Sequence, residues 1–256
     1  MTLDIKALEP LFTRLRLKTM YEQFKVLNDD PTTIDLPLVE VMFILASTEV
    51  NRRDERALQR RVTEACLCHP AACVQDVDYA PERKLNRKQI ETLGTCDWIR
   101  NHQNCIITGK AGCGKTWLAD ALGHAACQAG FKVKFYRLSD LLVELRAEIK
   151  TGIGNIRDYL KKIDVLIIDD WGTVGLDHQT RTGLLDIIND RRGKGSTIVT
   201  SVMPVDVWAV YIKDPTIADS LLDRLVHNAH RIEVAGASLR GQEKYGAVSN
   251  SYEPLA

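Results

Sequence analysis

The sequence predicts an α/β fold in which a parallel sheet is flanked by helices and preceded by a small all-α region. Three observations carry that expectation. Beyond residue 104, strand-like and helix-like stretches alternate, which is how a doubly wound parallel sheet is built. The run Cys105-Ile106-Ile107-Thr108 leads directly into GKAGCGKT, residues 109 to 116, so a G-x-x-x-x-G-K-T pattern sits between a strand and a helix. The run DVLIIDD, residues 164 to 170, stays apolar until it ends in two acids, as expected of a strand buried on both faces.

The chain has 256 residues, 45% of them apolar and 27% charged, and a formal net charge of zero. That composition is globular, and the length suits one ordinary domain with a smaller appendage. We expect a helical region over 1–75, the α/β domain over 76–240 and a polar, flexible tail over 241–256. No apolar run approaches a membrane span and no signal-peptide pattern opens the chain, so the cytoplasm is the expected location. With no net charge, any nucleic-acid contact must come from local basic clusters. Seven cysteines without framework spacing read as reduced thiols. Cys66, Cys68, His69 and Cys73 are metal-ligand types, but they lack the paired spacing of structural zinc sites. Small buried thiols at a helix end are the expectation there.

In the N-terminal part, Thr19-x-x-Glu22 reads as a capping box, with Met20, Phe24 and Leu27 on one face of the helix that follows. Asp35 before Pro37 marks a second helix start. Its apolar stripe of Leu38, Val41, Met42 and Leu45 runs on into NRRDERALQRR. Arg53, Arg56 and Arg60 share one side, with Arg52 and Arg61 close by. They form either a solvated face partnered by Asp54 and Glu55 or a phosphate-contacting face. The same two readings apply to Arg14, Arg16 and Lys18. His69 to Pro81 is turn-prone and reads as a linker or surface crossing, and PERKLNRKQIETL as a polar helix.

The α/β part then follows in order. Asn104–Thr108 is a strand, Lys115–Gln128 a helix and Lys132–Tyr136 a second strand. Ser139 caps a helix to about Lys150, and a short helix to Lys161 comes after a Gly-rich break. Asp164–Asp169 is a strand, His178–Arg192 a helix, Ser196–Ser201 a strand, Val205–Asn228 mostly helical, and His230–Val234 a last strand. No internal repeat or low-complexity segment interrupts it.

The glycine loop at a helix start presents backbone N–H groups and the positive end of a helix dipole, a setting for phosphate. We expect Gly109, Lys110, Ala111, Gly112, Cys113, Gly114, Lys115, Thr116 and Trp117 to form the nucleotide-binding segment. Lys115 supplies a cation for the β- and γ-phosphates, and Thr116 a hydroxyl for Mg²⁺. Asp169 holds Mg²⁺ through water, and Asp170 orients the attacking water; the bland alternative for Asp170 is a cap on the next turn. Together these predict an Mg-ATP site with hydrolysis.

With its motifs placed, the chain resembles the IstB-type transposition ATPases, relatives of the DnaC-type helicase loaders in the AAA+ class. The resemblance spans nearly the whole chain: LRLKTMYEQF, TGKAGCGKTWLADALG, DVLIIDDWG, TIVTSVMPVDVW and, most specifically, DPTIADSLLDRLVHNAHRIEVAGASLR. It implies a P-loop AAA+ sheet with little or no C-terminal lid, since only about twenty residues follow the last strand. It also implies a sensor role for Ser201, with Thr200 as rival, and an arginine, Arg224, that reaches a neighbouring subunit's site. Arg240 would approximate a second sensor arginine. The stretch LLVELRAEIK with GIGNIRDYLKK corresponds to the insertion through which that clade meets DNA. Its candidates are Arg146, Lys150 and Arg157, with Lys161 and Lys162; salt bridges to Glu144, Glu148 and Asp158 are the alternative.

The resemblance therefore implies a homo-oligomeric ATPase on duplex DNA that serves a cognate transposase in target selection. A helicase loader is the alternative. A metabolite kinase would need an acceptor pocket and lid that the sequence does not offer. Asp170 stands where most AAA+ proteins carry Glu, so slow or partner-stimulated hydrolysis is expected. A binding module that never hydrolyses ATP is the remaining reading.

Overall fold

The computed structural model describes residues 5–33, 35–152 and 155–239. The chain divides into two compact units, Met1–Arg60 and Arg61–Ala256. Arg240 and the tail over 241–256 lie outside the described residues.

The first unit holds α1 (Glu9–Arg14), α2 (Lys18–Asp29) and most of α3 (Leu38–Ala65). The division between the units thus falls inside α3, upstream of the linker expected before Pro81. The capping box at Thr19 does not form, because α2 begins two residues earlier than that box requires, with Leu17 at its N-cap and no side-chain cap. The free N–H of Met20 is met instead by the buried carboxylate of Glu49 on α3, at 3.1 Å. Of the expected apolar stripe on α3, Leu45 is buried whereas Leu38 and Met42 are exposed.

The second unit is built on one five-stranded sheet: β1 (Asn104–Gly109), β2 (Val133–Arg137), β3 (Val165–Trp171), β4 (Ser196–Ser201) and β5 (Ala229–Val234). Their order across the sheet is β2-β3-β4-β1-β5, and every neighbouring pair is parallel. Parallel strands need crossovers, and the sequence supplies them. They comprise α6 (Lys115–Gln128), α7 (Leu138–Thr151), α8 (Ile156–Leu160), α9 (His178–Arg191), α10 (Trp208–Ile212) and α11 (Pro215–Val226). Each expected strand is present, with ends displaced by at most two residues. The central strands are apolar on both faces; Ile106, Ile107, Val165 to Ile168, Ile198 and Val199 are almost fully buried. All five strands end at the same edge of the sheet, and in such folds a ligand binds there.

Several local signals act differently from expectation. Ser139 does not cap α7: its hydroxyl meets Asp140, and the N-cap is Arg137. The segment from His69 to Pro81 is a packed surface crossing, because Ala72, Val74 and Val77 are buried. The polar stretch at 81–93 opens with a short 3₁₀ turn before α4 (Arg87–Gly94), which Asn86 caps by accepting from the N–H of Gln89; α5 (Asp97–Arg100) leads into β1. Arg191, buried at the end of α9, donates to the carbonyls of Ile163 and Ser196, both at 2.6 Å, and so ties α9 to the strand ends. No described helix is long and apolar enough to cross a membrane.

Candidate nucleotide and metal site

At the C-terminal edge of the sheet lies a cavity of about 210 Å³. It is lined by Ala111, Gly112, Gly114, Lys115, Thr116 and Trp117 from the glycine loop, by Asp169 and Asp170 from β3, and by Cys68, His69, Arg137, Val202 and Leu239. The loop residues Gly109, Lys110 and Cys113 do not line the cavity but close the turn behind it. Glycine is required at Gly109 and Gly112. Both have positive φ, and a Cβ would lie 2.1 Å from the Val234 carbonyl at Gly109 and 2.3 Å from Ser238 Oγ at Gly112. The first N–H groups of α6, at Lys115 and Thr116, have no acceptor in the helix's own ladder and face the loop. Lys115 is buried, with Nζ donating to the Lys110 carbonyl at 2.9 Å.

A second ring of contacts fixes the loop from outside. Arg83, almost fully buried, donates from Nη2 to the Cys113 carbonyl at 3.0 Å, and its own carbonyl accepts from Ala235 N–H. The N–H of Leu239 donates to the Gly112 carbonyl at 2.9 Å. Thus the short segment after β5 returns to the loop. Arg83 was not legible in the sequence, where it reads as one cation in a polar helix.

The acids sit at an irregularity in β3. Ile168 pairs with Val199 and Trp171 with Ser201, so Asp169 and Asp170 together oppose Thr200. This extra residue is a β-bulge, and Asp170 occupies it with φ +59°. Non-glycine residues with positive φ are uncommon, and aspartate is one of the types that tolerates it. The bulge turns both acids to the cavity. Behind it, Trp171 and Trp208 pack with ring centroids 5.3 Å apart, and both are fully buried.

Asp169 is 2% exposed and accepts from the Thr116 hydroxyl at 3.0 Å and from the Thr200 hydroxyl. Burial, and secondarily the charge of Asp170, push its carboxyl up to about 6, against the pull of the two hydroxyls. A buried carboxylate beside a hydroxyl and a second acid is an all-oxygen donor set, which fits a hard divalent cation such as Mg²⁺. A cation there would offset the burial that disfavours the charged form.

Ser201 does not reach the acids. Its hydroxyl donates to the Trp171 carbonyl at 2.8 Å and accepts from Met203 N–H at 3.0 Å, on the opposite side of β4. Thr200, one residue earlier, bridges both: its hydroxyl donates to Asp169 and accepts from Asp170 N–H at 3.1 Å. Of the two hydroxyls named for the sensor position, Thr200 is the one that touches the acids, as strand alternation places Ser201 on the other face.

Arg224 lies on α11 and does not line the cavity. Its Nη1 is turned back to Ser220, 2.7 Å from the hydroxyl, and its Nε is buried without a partner. The Cys/His group does not converge. Cys66 Sγ is 3.1 Å from Lys134 Nζ, Cys73 faces His124, and His69 is held by Asp120 through both its N–H and Nδ1. Among the described residues no cluster of three or more such side chains is placed to hold a metal.

Most of the candidate DNA-contacting cations have partners. Arg52 pairs with Glu55, and Arg53 with Glu49 and the Arg16 carbonyl. Arg60 is engaged as well, while Arg56 and Lys150 are exposed. Arg146 pairs with Asp177 at 2.9 Å, Arg157 with Asp186 and Asp190, and Lys161 with Asp158 and Asp190. The salt-bridge alternative is therefore present with partly different acids. Glu144 instead accepts from the Tyr136 hydroxyl, and Glu148 caps α8 at Ile156 N–H.

Comparison with known proteins gives a consistent neighbourhood. Residues 11–247 match the model of the family described as IstB-like ATP binding protein. An insertion-sequence ATP-binding protein of Sinorhizobium fredii is 41% identical over 233 residues, covering 90% of this chain and 93% of that protein. An insertion-sequence ATP-binding protein of Pseudomonas fluorescens is 41% identical over 175 residues, covering 68% and 76%. Among solved structures, DnaI superposes with a TM-score of 0.57 at 20% identity, covering 71% of this chain and all of that one. AMPPCP-bound DnaA from Aquifex aeolicus superposes with a TM-score of 0.53 at 22% identity, covering 64% and 50%. At these identities the structures speak to the fold.

Proposed function

The chain belongs to the IstB-like ATP-binding family, AAA+ ATPases of insertion sequences, and from that membership we propose that it is a transposition helper. In this reading it binds Mg-ATP, assembles as a homo-oligomer on duplex DNA in the cytoplasm, and assists the transposase of its element in target selection. The observation that carries the proposal is the convergence of the loop, Thr116, Asp169 and Asp170 on one cavity that Arg224 does not line, with the buried Thr200 hydroxyl bonded to both acids.

The residues divide the work as follows. The loop N–H groups and Lys115 neutralise the β- and γ-phosphates. Thr116 and Asp169 would hold Mg²⁺, and the ion would supply charge neutralisation for the phosphate oxygens. Asp170 orients a water and takes its proton as the water oxygen bonds to the γ-phosphorus and the bond to the β-phosphate oxygen breaks. Thr200 keeps the two acids in register and senses the γ-phosphate. Arg224 of a neighbouring copy completes the site, in the manner of an arginine supplied in trans. Its turned-back position on α11 supports that reading, since among the described residues the guanidinium bonds only to Ser220.

DNA contact would fall to Arg146, Lys150 and Arg157 on α7 and α8, with Arg52, Arg53, Arg56 and Arg60 on α3. Exposed ion pairs contribute little stability, so these arginines can exchange carboxylate for phosphate at small cost. Such contacts follow the backbone and carry little sequence information, which suits a helper accepting many targets.

The test is ATP turnover and oligomeric state measured alone, with duplex DNA, with single strands, and with duplex plus transposase. The proposal expects assembly with ATP and duplex, and turnover stimulated by the transposase. Lys115→Ala should abolish nucleotide binding. Indifference to duplex DNA in both readouts would reject it.

A further inference from the structure

One wall of the nucleotide cavity is left without a task by the roles above. It is formed by Arg137, at the C-terminal end of β2, together with Cys68 and His69. β2 is one of the two edge strands, and β3 and β4 lie between it and β1. With neighbouring strands roughly 4.8 Å apart, Arg137 starts about 14 Å from the strand that feeds the glycine loop. It pairs in register with Asp169, so it enters at the level of the acids and on the side away from the loop.

Its electrostatic situation is unusual. The guanidinium interacts with the Cys68 thiol, which burial pushes up to about 12, so this partner stays neutral. Among the described residues, no carboxylate lies within ion-pair distance of Arg137. The two acids that share its cavity are occupied differently: Asp169 by two hydroxyls, and Asp170 in the bulge. A half-buried arginine stays charged and presents a planar fork of donors suited to phosphate oxygens. With no counter-ion among the described residues, that fork fits an anion arriving in the cavity.

The wall is also held in place. Asp120, fully buried on α6, accepts from the backbone N–H groups of Cys68 and His69 and from His69 Nδ1 at 2.7 Å. These bonds fix Cys68 against Arg137 from the helix that carries Lys115 and Thr116.

We infer that Arg137 contacts the terminal phosphate of the bound nucleoside triphosphate, in cis and opposite Lys115. It thereby distinguishes triphosphate from diphosphate before any neighbouring subunit engages. The inference rests on the reading of this cavity as the nucleotide site. The competing explanation is that Arg137 only balances the charge of Asp169 and Asp170, a role that would affect ATP and ADP alike.

The experiment measures binding of ADP and of a β,γ-methylene ATP analogue, each with Mg²⁺, to the full-length protein by calorimetry. Wild type is compared with Arg137→Ala, Arg137→Lys and Lys115→Ala, with thermal unfolding as the folding control. Arg137→Ala should weaken the triphosphate at least about tenfold relative to ADP, the loss of a charge-assisted hydrogen bond. Arg137→Lys, which keeps the charge but not the fork, should fall between. If Arg137→Ala does not fold, Arg137→Lys alone must still shift the ratio. An unchanged triphosphate-to-diphosphate ratio, with Lys115→Ala unable to bind either, overturns the role of Arg137 and leaves the nucleotide site standing. Normal binding by Lys115→Ala overturns both.

Discussion

Between Ile168 and Trp171 the third strand carries two residues where its neighbour carries one, and the chemistry of the cavity follows from that extra residue. The bulge sets Asp169 and Asp170 around the Thr200 hydroxyl and sends Ser201 to the far face, where its hydroxyl closes a turn at Trp171 and Met203. The glycine loop was readable from sequence because its requirement is local: a phosphate cradle needs glycine at fixed spacing. The choice between Thr200 and Ser201 was not, because it depends on strand register at a bulge. Arg137, and Cys68 and His69 as cavity residues, were hidden for a related reason, since only the topology brings the end of β2 and the segment after α3 to the cavity wall opposite the loop. Two substitutions separate the hydroxyls. Thr200→Ala should lower ATP turnover by about 10²-fold, the effect of losing one positioned donor at a reacting centre, at a stability cost of about 1–3 kcal/mol from the two buried hydrogen bonds it makes. Ser201→Ala should cost about 1 kcal/mol in urea unfolding and leave turnover near wild type. The reverse pattern would return the sensor role to Ser201.

At the scale of elements, helix starts were the least legible feature, because tertiary partners replaced the local caps that the sequence offered. Glu49 serves α2 where Thr19 was expected to, whereas Asp177 caps α9 in the ordinary way, accepting from Thr180 N–H at 2.9 Å. That N–H bond, and then Arg146, hold the Asp177 carboxyl down at about 2, against 3.8 for the free group. Because the folded value is depressed, the stabilisation from Asp177 is complete above about pH 4 and is lost as pH falls through about 2. Asp177→Asn, which can still cap, should remove this group's share of the acid-side loss of melting temperature between those values. Asp177→Ala should cost about 1 kcal/mol at neutral pH. If Asp177→Asn melts in parallel with wild type over that range, the pairing with Arg146 and Thr180 does not persist in solution. The same pairing bears on DNA: freeing Arg146 should strengthen duplex binding if that arginine turns to phosphate, and leave it unchanged otherwise.

For the whole molecule, the parallel sheet and its helical crossovers were legible because strand-like and helix-like stretches alternate, whereas the order of the strands was not read from the sequence; the family match over 11–247 agrees with the fold. The central claim concerns more than one copy of the chain: the cavity supplies loop, metal ligands and Asp170, and a neighbour supplies Arg224. Mixing subunits tests this most directly. Asp170→Asn and Arg224→Ala proteins are each assayed for ATP hydrolysis with duplex DNA and transposase, alone and in an equimolar mixture. Each alone should be nearly inactive. In the mixture, about a quarter of the junctions join an intact Asp170 to an intact Arg224, so hydrolysis should return to a corresponding fraction of wild type. A mixture no more active than its components, or full activity of Arg224→Ala alone, would contradict a site completed by a second subunit.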